Sequence, residues 1–138
     1  MRAGELVFVD TGAWLALALT RDPLHKRARA VWEQLVGAGA GLHTSVPVVL
    51  ETFTFLDRNT ARSVAVAWKD SLGGVARLKI LPATTRDLQR AWSWFDRPDL
   101  HKLSAVDAVS FVLMAERRIR VAFAFDSHFA AAGFRMVG

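Results

Sequence analysis

The chain alternates short apolar runs with longer stretches of helical periodicity. Leu6-Val7-Phe8-Val9 is uniformly apolar and bounded by polar residues, which predicts a strand buried on both faces that ends at Asp10. Thr11 and Gly12 turn the chain into a short apolar helix over Ala13–Leu19. Asp22 and Pro23 are placed as N-cap and first-turn residue of a second helix, whose Leu24, Ala28, Val31 and Leu35 form one stripe. The glycine-rich stretch from Gly37 to Gly41 ends it, and Leu42-His43-Thr44 reads as a weak second strand. Ser45-Val46-Pro47 starts a third helix that carries Val48, Val49, Leu50 and Glu51 in its opening turns. Thr60 is expected to cap the next helix, with Val64, Trp68 and Leu72 on its inner face and Gly73-Gly74 as its stop.

Val75–Leu81 alternates, with Ala76, Leu78 and Ile80 on one face, as an edge strand should. Pro82 ends it, and Thr85 is expected to cap a helix burying Leu88, Ala91, Trp92 and Phe95. A charged loop, Asp96–Lys102, leads into LSAVDAVSFVLMAERRIRVAFAFD, read as a helix running into a buried strand, Val121–Phe125. Ser127–Ala132 is then one helical turn and Phe134–Val137 a last edge strand. Strands alternating with helices imply an α/β fold with a parallel sheet covered on both faces. In such sheets ligands bind beyond the carboxyl ends of the strands.

Charge changes this picture. Asp10 and Asp126 follow the two most apolar strands, while Glu51 and Asp107 lie in the opening turns of helices that start at the same edge. The four acids, 41, 56 and 19 residues apart, can therefore share one place. Each has a plain structural reading as well: Asp107 with Ser104 forms an S-x-x-D capping box, Asp126 can cap the turn after it, Asp10 can start a turn, and Glu51 can sit in solvent. Together, four carboxylates repel one another unless a cation neutralises them. An oxygen-only donor set suits Mg²⁺ or Mn²⁺ rather than zinc. The net charge is +5, so removing four clustered acids from the balance leaves +9 on the rest of the surface. That is a basic body around an acidic hole, suited to a polyanion.

Length and composition fit one domain spanning residues 1–138. The absence of cysteine excludes disulfides, thiol catalysis and Cys-bound zinc. No apolar run reaches the ~18–20 residues of a membrane span, and MRAGELVFVD has too short an apolar stretch for a signal peptide. A cytoplasmic protein without membrane partners is expected. His25, His43 and His101 are scattered, and His128 is read as structural or surface.

The segments FVDTGAWLAL, TSVPVVLET with Glu51, LSAVDAVSFVLM with Asp107 and FAFDSHF with Asp126 resemble, in order and across the whole chain, the PIN domain. Within it they are similar to the VapC-type toxins of type II toxin–antitoxin pairs. The resemblance implies a three-layer α/β/α sandwich with a five-stranded parallel sheet of order 3-2-1-4-5. It also implies a Mg²⁺- or Mn²⁺-dependent endoribonuclease, a small antitoxin protein that covers the site, and a homodimer. Carried over by motif, Asp10 and Asp107 would be direct metal ligands, Glu51 would bind through water or shape the site, and Asp126 would ligate a second ion or orient the nucleophilic water. Thr11 and Ser104 would be supporting hydroxyls, and Trp14, next to the site in sequence, a possible substrate contact. Gly12 stands where many relatives have Ser or Asn, and Ala124 where Thr or Ser is common. A PIN-fold module that binds RNA or protein without cutting is the alternative, against which four intact acids argue. A receiver-like phosphoacceptor would need an acidic pair after the first strand and a late Lys; neither is present.

Overall fold

The computed structural model describes residues 2–138. Its centre is β1 (Leu6–Val9), whose Val7, Phe8 and Val9 are wholly buried. β2 (Gly41–Ser45) lies on one side of it and β4 (Val121–Phe123) on the other. β3 (Leu78–Leu81) and β5 (Arg135–Val137) close the two edges, giving an all-parallel sheet of order β3-β2-β1-β4-β5. The registers Val7↔Leu42 and Val7↔Val121 align the carboxyl ends of the three inner strands. Parallel pairing requires crossovers, and the helices supply them on both faces of the sheet. They are α1 (Thr11–Ala18), α2 (His25–Gly37), α3 (Val46–Asn59), α4 (Arg62–Ser71), α5 (Thr85–Ala91), α6 (Ala105–Glu116) and α7 (His128–Ala131). This is the three-layer α/β/α architecture and strand order expected.

Helix α6 is apolar all round and is accordingly enclosed: every residue from Asp107 to Met114 is buried. Phe111 on it meets Trp94, Phe129 and Phe134 edge-on or tilted at 5.0–5.7 Å, in the arrangement aromatic quadrupoles favour.

Local structure departs from the pattern-based reading at three caps and in two strands. Asp22 does not cap α2. Its carboxylate accepts from the Leu24 amide at 2.7 Å and holds a turn, so the helix starts at His25. Thr60 belongs to the helix before it: its hydroxyl donates to the Leu56 carbonyl at 2.6 Å and ends α3, while α4 starts behind Ala61 with no side-chain cap. Strand β3 is shorter than its alternation suggests, because Arg77 turns through a left-handed φ of 61° and pairing begins at Leu78; Ile80 faces solvent. Thr84 rather than Thr85 caps α5, in a reciprocal box with Asp87. That box turns Asp87 and Ala91 inward and leaves Leu88, Trp92 and Phe95, expected in the core, exposed. Strand β4 also stops at Phe123, two residues early.

Candidate active site

Asp10 is the first residue beyond β1. Its amide donates to the Phe123 carbonyl at 3.0 Å, which pins it beside the end of β4. The chain then enters α1 at once, with Asp10 in the cap position but making no side-chain cap bond. The carboxyl group is therefore free for another use, and it is only 4% exposed. Its Oδ1 and the neighbouring Thr11 hydroxyl are both buried without a hydrogen-bond partner. A buried oxygen left in this way is costly unless a donor or a cation completes it.

The floor behind Asp10 is rigid. Trp14 Nε1 donates to Thr44 Oγ1 at 3.1 Å, and that hydroxyl donates to the Val9 carbonyl at 3.0 Å, tying α1, β2 and β1 together. Trp14 itself is 3% exposed and packs against Trp32 and Trp68 at 5.6 and 5.9 Å. It packs as a core residue, and what remains of its surface lines a cavity between α1, α2 and α4 that contains none of the four acids.

Ser45 ends β2 and caps α3, accepting from the Val48 amide at 3.2 Å. This places half-buried Glu51 on the second turn of a helix rising from the same sheet edge. Ser104 caps α6 in the same way, accepting from the Asp107 amide at 3.0 Å. Asp107 thereby sits in the first turn and is buried. Asp126, three residues past β4, is the open member, with a side chain 41% exposed. Its Oδ1 accepts from the His128 amide at 2.9 Å and starts α7.

The electrostatics record the convergence. Burial, then the charge of Asp107, then that of Glu51 push the Asp10 pKa up to about 8, against the opposing pull of the Thr11 and Gly12 amides. Burial and the charges of Asp126 and Glu51 raise Asp107 to about 6, tempered by His128 and Ser104. Asp10 feels Asp107 and Glu51, and Asp107 feels Asp126 and Glu51, so Asp107 links the acids at this edge. A hard divalent cation fits this donor set: several carboxylate oxygens, one of them orphaned, in a place too crowded with negative charge to ionise alone.

His128 was missed. Its Nδ1 lies 3.0 Å from Asp126 Oδ1 and 3.8 Å from Asp107 Oδ2, so it shares the site rather than the surface. The usable signal was its spacing: two residues after Asp126 and first in a helical turn, it points back at the acid that starts the turn.

The helices also frame two concavities. A groove of about 620 Å³ runs from Glu51 along α3, lined by Pro47, Leu50, Phe55, Arg58 and Val106. A cavity of about 570 Å³ between α1, α2 and α4 is walled by Trp14, Trp32 and Trp68 and contains none of the four acids.

Five parallel strands with four acids and a histidine at their carboxyl edge define a nuclease-type α/β site, and the comparisons with known proteins agree. The PIN domain profile matches residues 7–135, and the chain belongs to the PIN domain family. Over 130 residues it is 37% identical to the 23S rRNA-specific endonuclease VapC20 of Mycobacterium tuberculosis, covering 94% of this chain and 95% of that protein. The crystal structure of that toxin, described as cleaving the sarcin-ricin loop, superposes with a TM-score of 0.79 over 93% of this chain and 95% of that one, at 34% identity. The fold also matches FitAcB of Neisseria gonorrhoeae, with a TM-score of 0.70 over 96% of each chain at 14% identity.

Proposed function

We propose that this chain is a VapC-type toxin: an endoribonuclease that hydrolyses RNA phosphodiester bonds with Mg²⁺ or Mn²⁺. The observation that carries the metal dependence is the Asp10 carboxyl, 4% exposed, with an oxygen bonded to nothing, among three further acids. The nuclease class follows from membership of the PIN family and from the VapC relative matched along nearly the whole chain. We assign Asp10, Asp107 and Asp126 as the residues that hold the ion and Glu51 as the acid that shapes the site or contacts the ion through water. When bound, such an ion supplies Lewis-acid polarisation of the phosphodiester and activation of water.

The chain's own groups do the rest. Asp10, raised to about 8, is largely neutral near pH 7 and must give up its proton to bind a cation, whereas Asp107, raised to about 6, is mostly ionised there. Ser104 fixes the first turn of α6, and with it Asp107, by accepting from the Asp107 amide. Thr11 adds a buried hydroxyl beside Asp10. Arg58, lining the groove that begins at Glu51, and the basic remainder of the surface hold the RNA backbone.

We infer ribosomal RNA of the large subunit as the substrate, following the relative's name, and a small antitoxin that covers the acidic edge. We further infer a homodimer. Leu50, Leu88, Trp92 and Phe95 are 41–62% exposed, and the grooves beside Leu50 and Leu88 share Pro47 and Val106, which is more continuous apolar surface than scattered exposure leaves. Phe95→Glu should then give a monomer in sedimentation. Among the described residues no helix is long and apolar enough to cross a membrane; we place the protein in the cytoplasm with its RNA.

The test is cleavage of rRNA and of a hairpin fragment with added Mg²⁺ or Mn²⁺. Cleavage should vanish with EDTA and in Asp10→Asn or Asp107→Asn. Cleavage that survives both treatments overturns the mechanism. Separately, expression should arrest growth, and a co-encoded small protein should relieve the arrest.

A further inference from the structure

His128 makes two contacts that together fix its chemistry. Its Nε2 lies 2.6 Å from the His101 carbonyl oxygen. A carbonyl only accepts, so Nε2 carries the proton. The other nitrogen, Nδ1, is buried and has no hydrogen-bond partner, although Asp126 Oδ1 is 3.0 Å away and Asp107 Oδ2 3.8 Å away. The nitrogen and the carboxylate oxygens are close but not aligned to share a proton. They are instead close enough together to share an ion. One atom each from Asp107, Asp126 and His128 lies within 4.8 Å of the others, and neighbouring ligands of an ion with bonds of ~2.1 Å stand ~3.0 Å apart.

We propose that His128 is a ligand of the cation in this site, adding one imidazole nitrogen to the carboxylates and biasing the site towards Mn²⁺ over Mg²⁺. The inference rests on the metal-dependent reading above. It has one support besides the acids: metal-binding histidines usually donate their other ring N–H to a carbonyl or carboxylate, which fixes tautomer and ring orientation, and His101 provides that acceptor. The segments that carry His128 and its acceptor are both anchored. Phe129, the next residue, is buried edge-on against Phe111 of α6 at 5.0 Å, the helix that carries Asp107. Arg97 donates to the Ala131 carbonyl at 3.1 Å and to Asp99, tying the loop that presents the His101 carbonyl to α7. Nitrogen donors favour first-row transition ions over Mg²⁺, which prefers oxygen.

Substoichiometric Mn²⁺ added to the full chain tests this. Pulsed EPR of the bound Mn²⁺ should show coupling to an imidazole ¹⁴N, lost in His128→Gln and kept in His25→Gln. Binding titrations should show Mn²⁺ affinity falling ~10-fold or more in His128→Gln, with Mg²⁺ affinity changing much less. Labelling histidine with ¹⁵N must change the wild-type coupling, which tests the claim even where the variant does not fold. Mn²⁺ that binds the wild type, and is displaced by Asp10→Asn, but shows no nitrogen coupling overturns the role of His128 alone. Failure of the wild type to bind Mn²⁺ at all overturns the metal-dependent reading with it.

Discussion

Replacing Asp10 by Asn should make the metal-free protein more stable while destroying its activity. The folded pKa of Asp10 is about 8 against 3.8 for an unperturbed Asp. Between those values the folded state holds a proton that the unfolded state has released, so stability falls as pH rises across the window and the full penalty is present above pH 8. At pH 7 the gap above the unfolded value is about three units, or ~4 kcal/mol at about 1.36 kcal/mol per unit. Asn has the same shape and no ionisation, but its amide must find partners of its own, so the expected gain is ~2–4 kcal/mol. For a domain of this size that corresponds to a rise in Tm of roughly 3–5 °C per kcal/mol. Urea denaturation in EDTA at pH 4, 6 and 8 measures it. The gap between variant and wild type should be near zero at pH 4 and widest at pH 8. Saturating Mn²⁺ should stabilise the wild type at pH 8 and leave Asp10→Asn almost unmoved. Equal or lower stability of the variant in EDTA at pH 8 would refute the burial argument, whatever its activity.

Three further expectations follow from the same geometry. Proton release on Mn²⁺ binding, read by calorimetry in buffers of different ionisation enthalpy, should be larger at pH 6 than at pH 8.5, because Asp107 and Asp10 titrate near 6 and 8; affinity should fall as the pH drops. Ser104→Ala removes the bond that caps α6 and should cost about 1 kcal/mol in thermal melts, with a loss of cleavage larger than the loss of fold, since Asp107 is the residue released. Trp14→Phe should cost ~1–3 kcal/mol by denaturation through the lost bond to Thr44 and the void beside Trp32 and Trp68. It should leave RNA affinity in filter binding unchanged, and a selective loss of RNA affinity would make Trp14 a substrate contact.

The inner strands and the buried α6 were legible because both are nearly all apolar, a pattern that survives any register. The acids were legible for a related reason: a carboxylate directly after such a run has no plain place in a core. The surface of α5 was not. Leu88, Trp92 and Phe95 share a helical stripe with Ala91, and nothing in that spacing says that the Thr84–Asp87 box turns the helix so that Asp87 and Ala91 face inward. Thr60 and Asp22 failed similarly, since a hydroxyl or carboxylate between two helical patterns can serve the helix behind it, the turn, or the helix ahead. Trp14 shows the limit of adjacency in sequence: four residues from Asp10 is one helical turn, enough to bring it near the acid edge but with its indole directed into the layer below. His128 needed the fold, because its partner is a backbone carbonyl 27 residues away.

The spacing of the site along the chain has a consequence for folding. Asp10 precedes β4 by more than a hundred residues, but its amide waits for the Phe123 carbonyl, and Asp126 and His128 follow that strand. β4 must slot between β1 and β5 before the acids meet. A chain that has not yet docked β4 therefore has no scissors, because Asp10 has neither Asp126 nor His128 beside it. Toxicity in cells then becomes a readout of complete folding: survivors of a growth-arrest selection will carry core lesions at Phe8, Phe111 or Phe123 as readily as changes to the acids themselves.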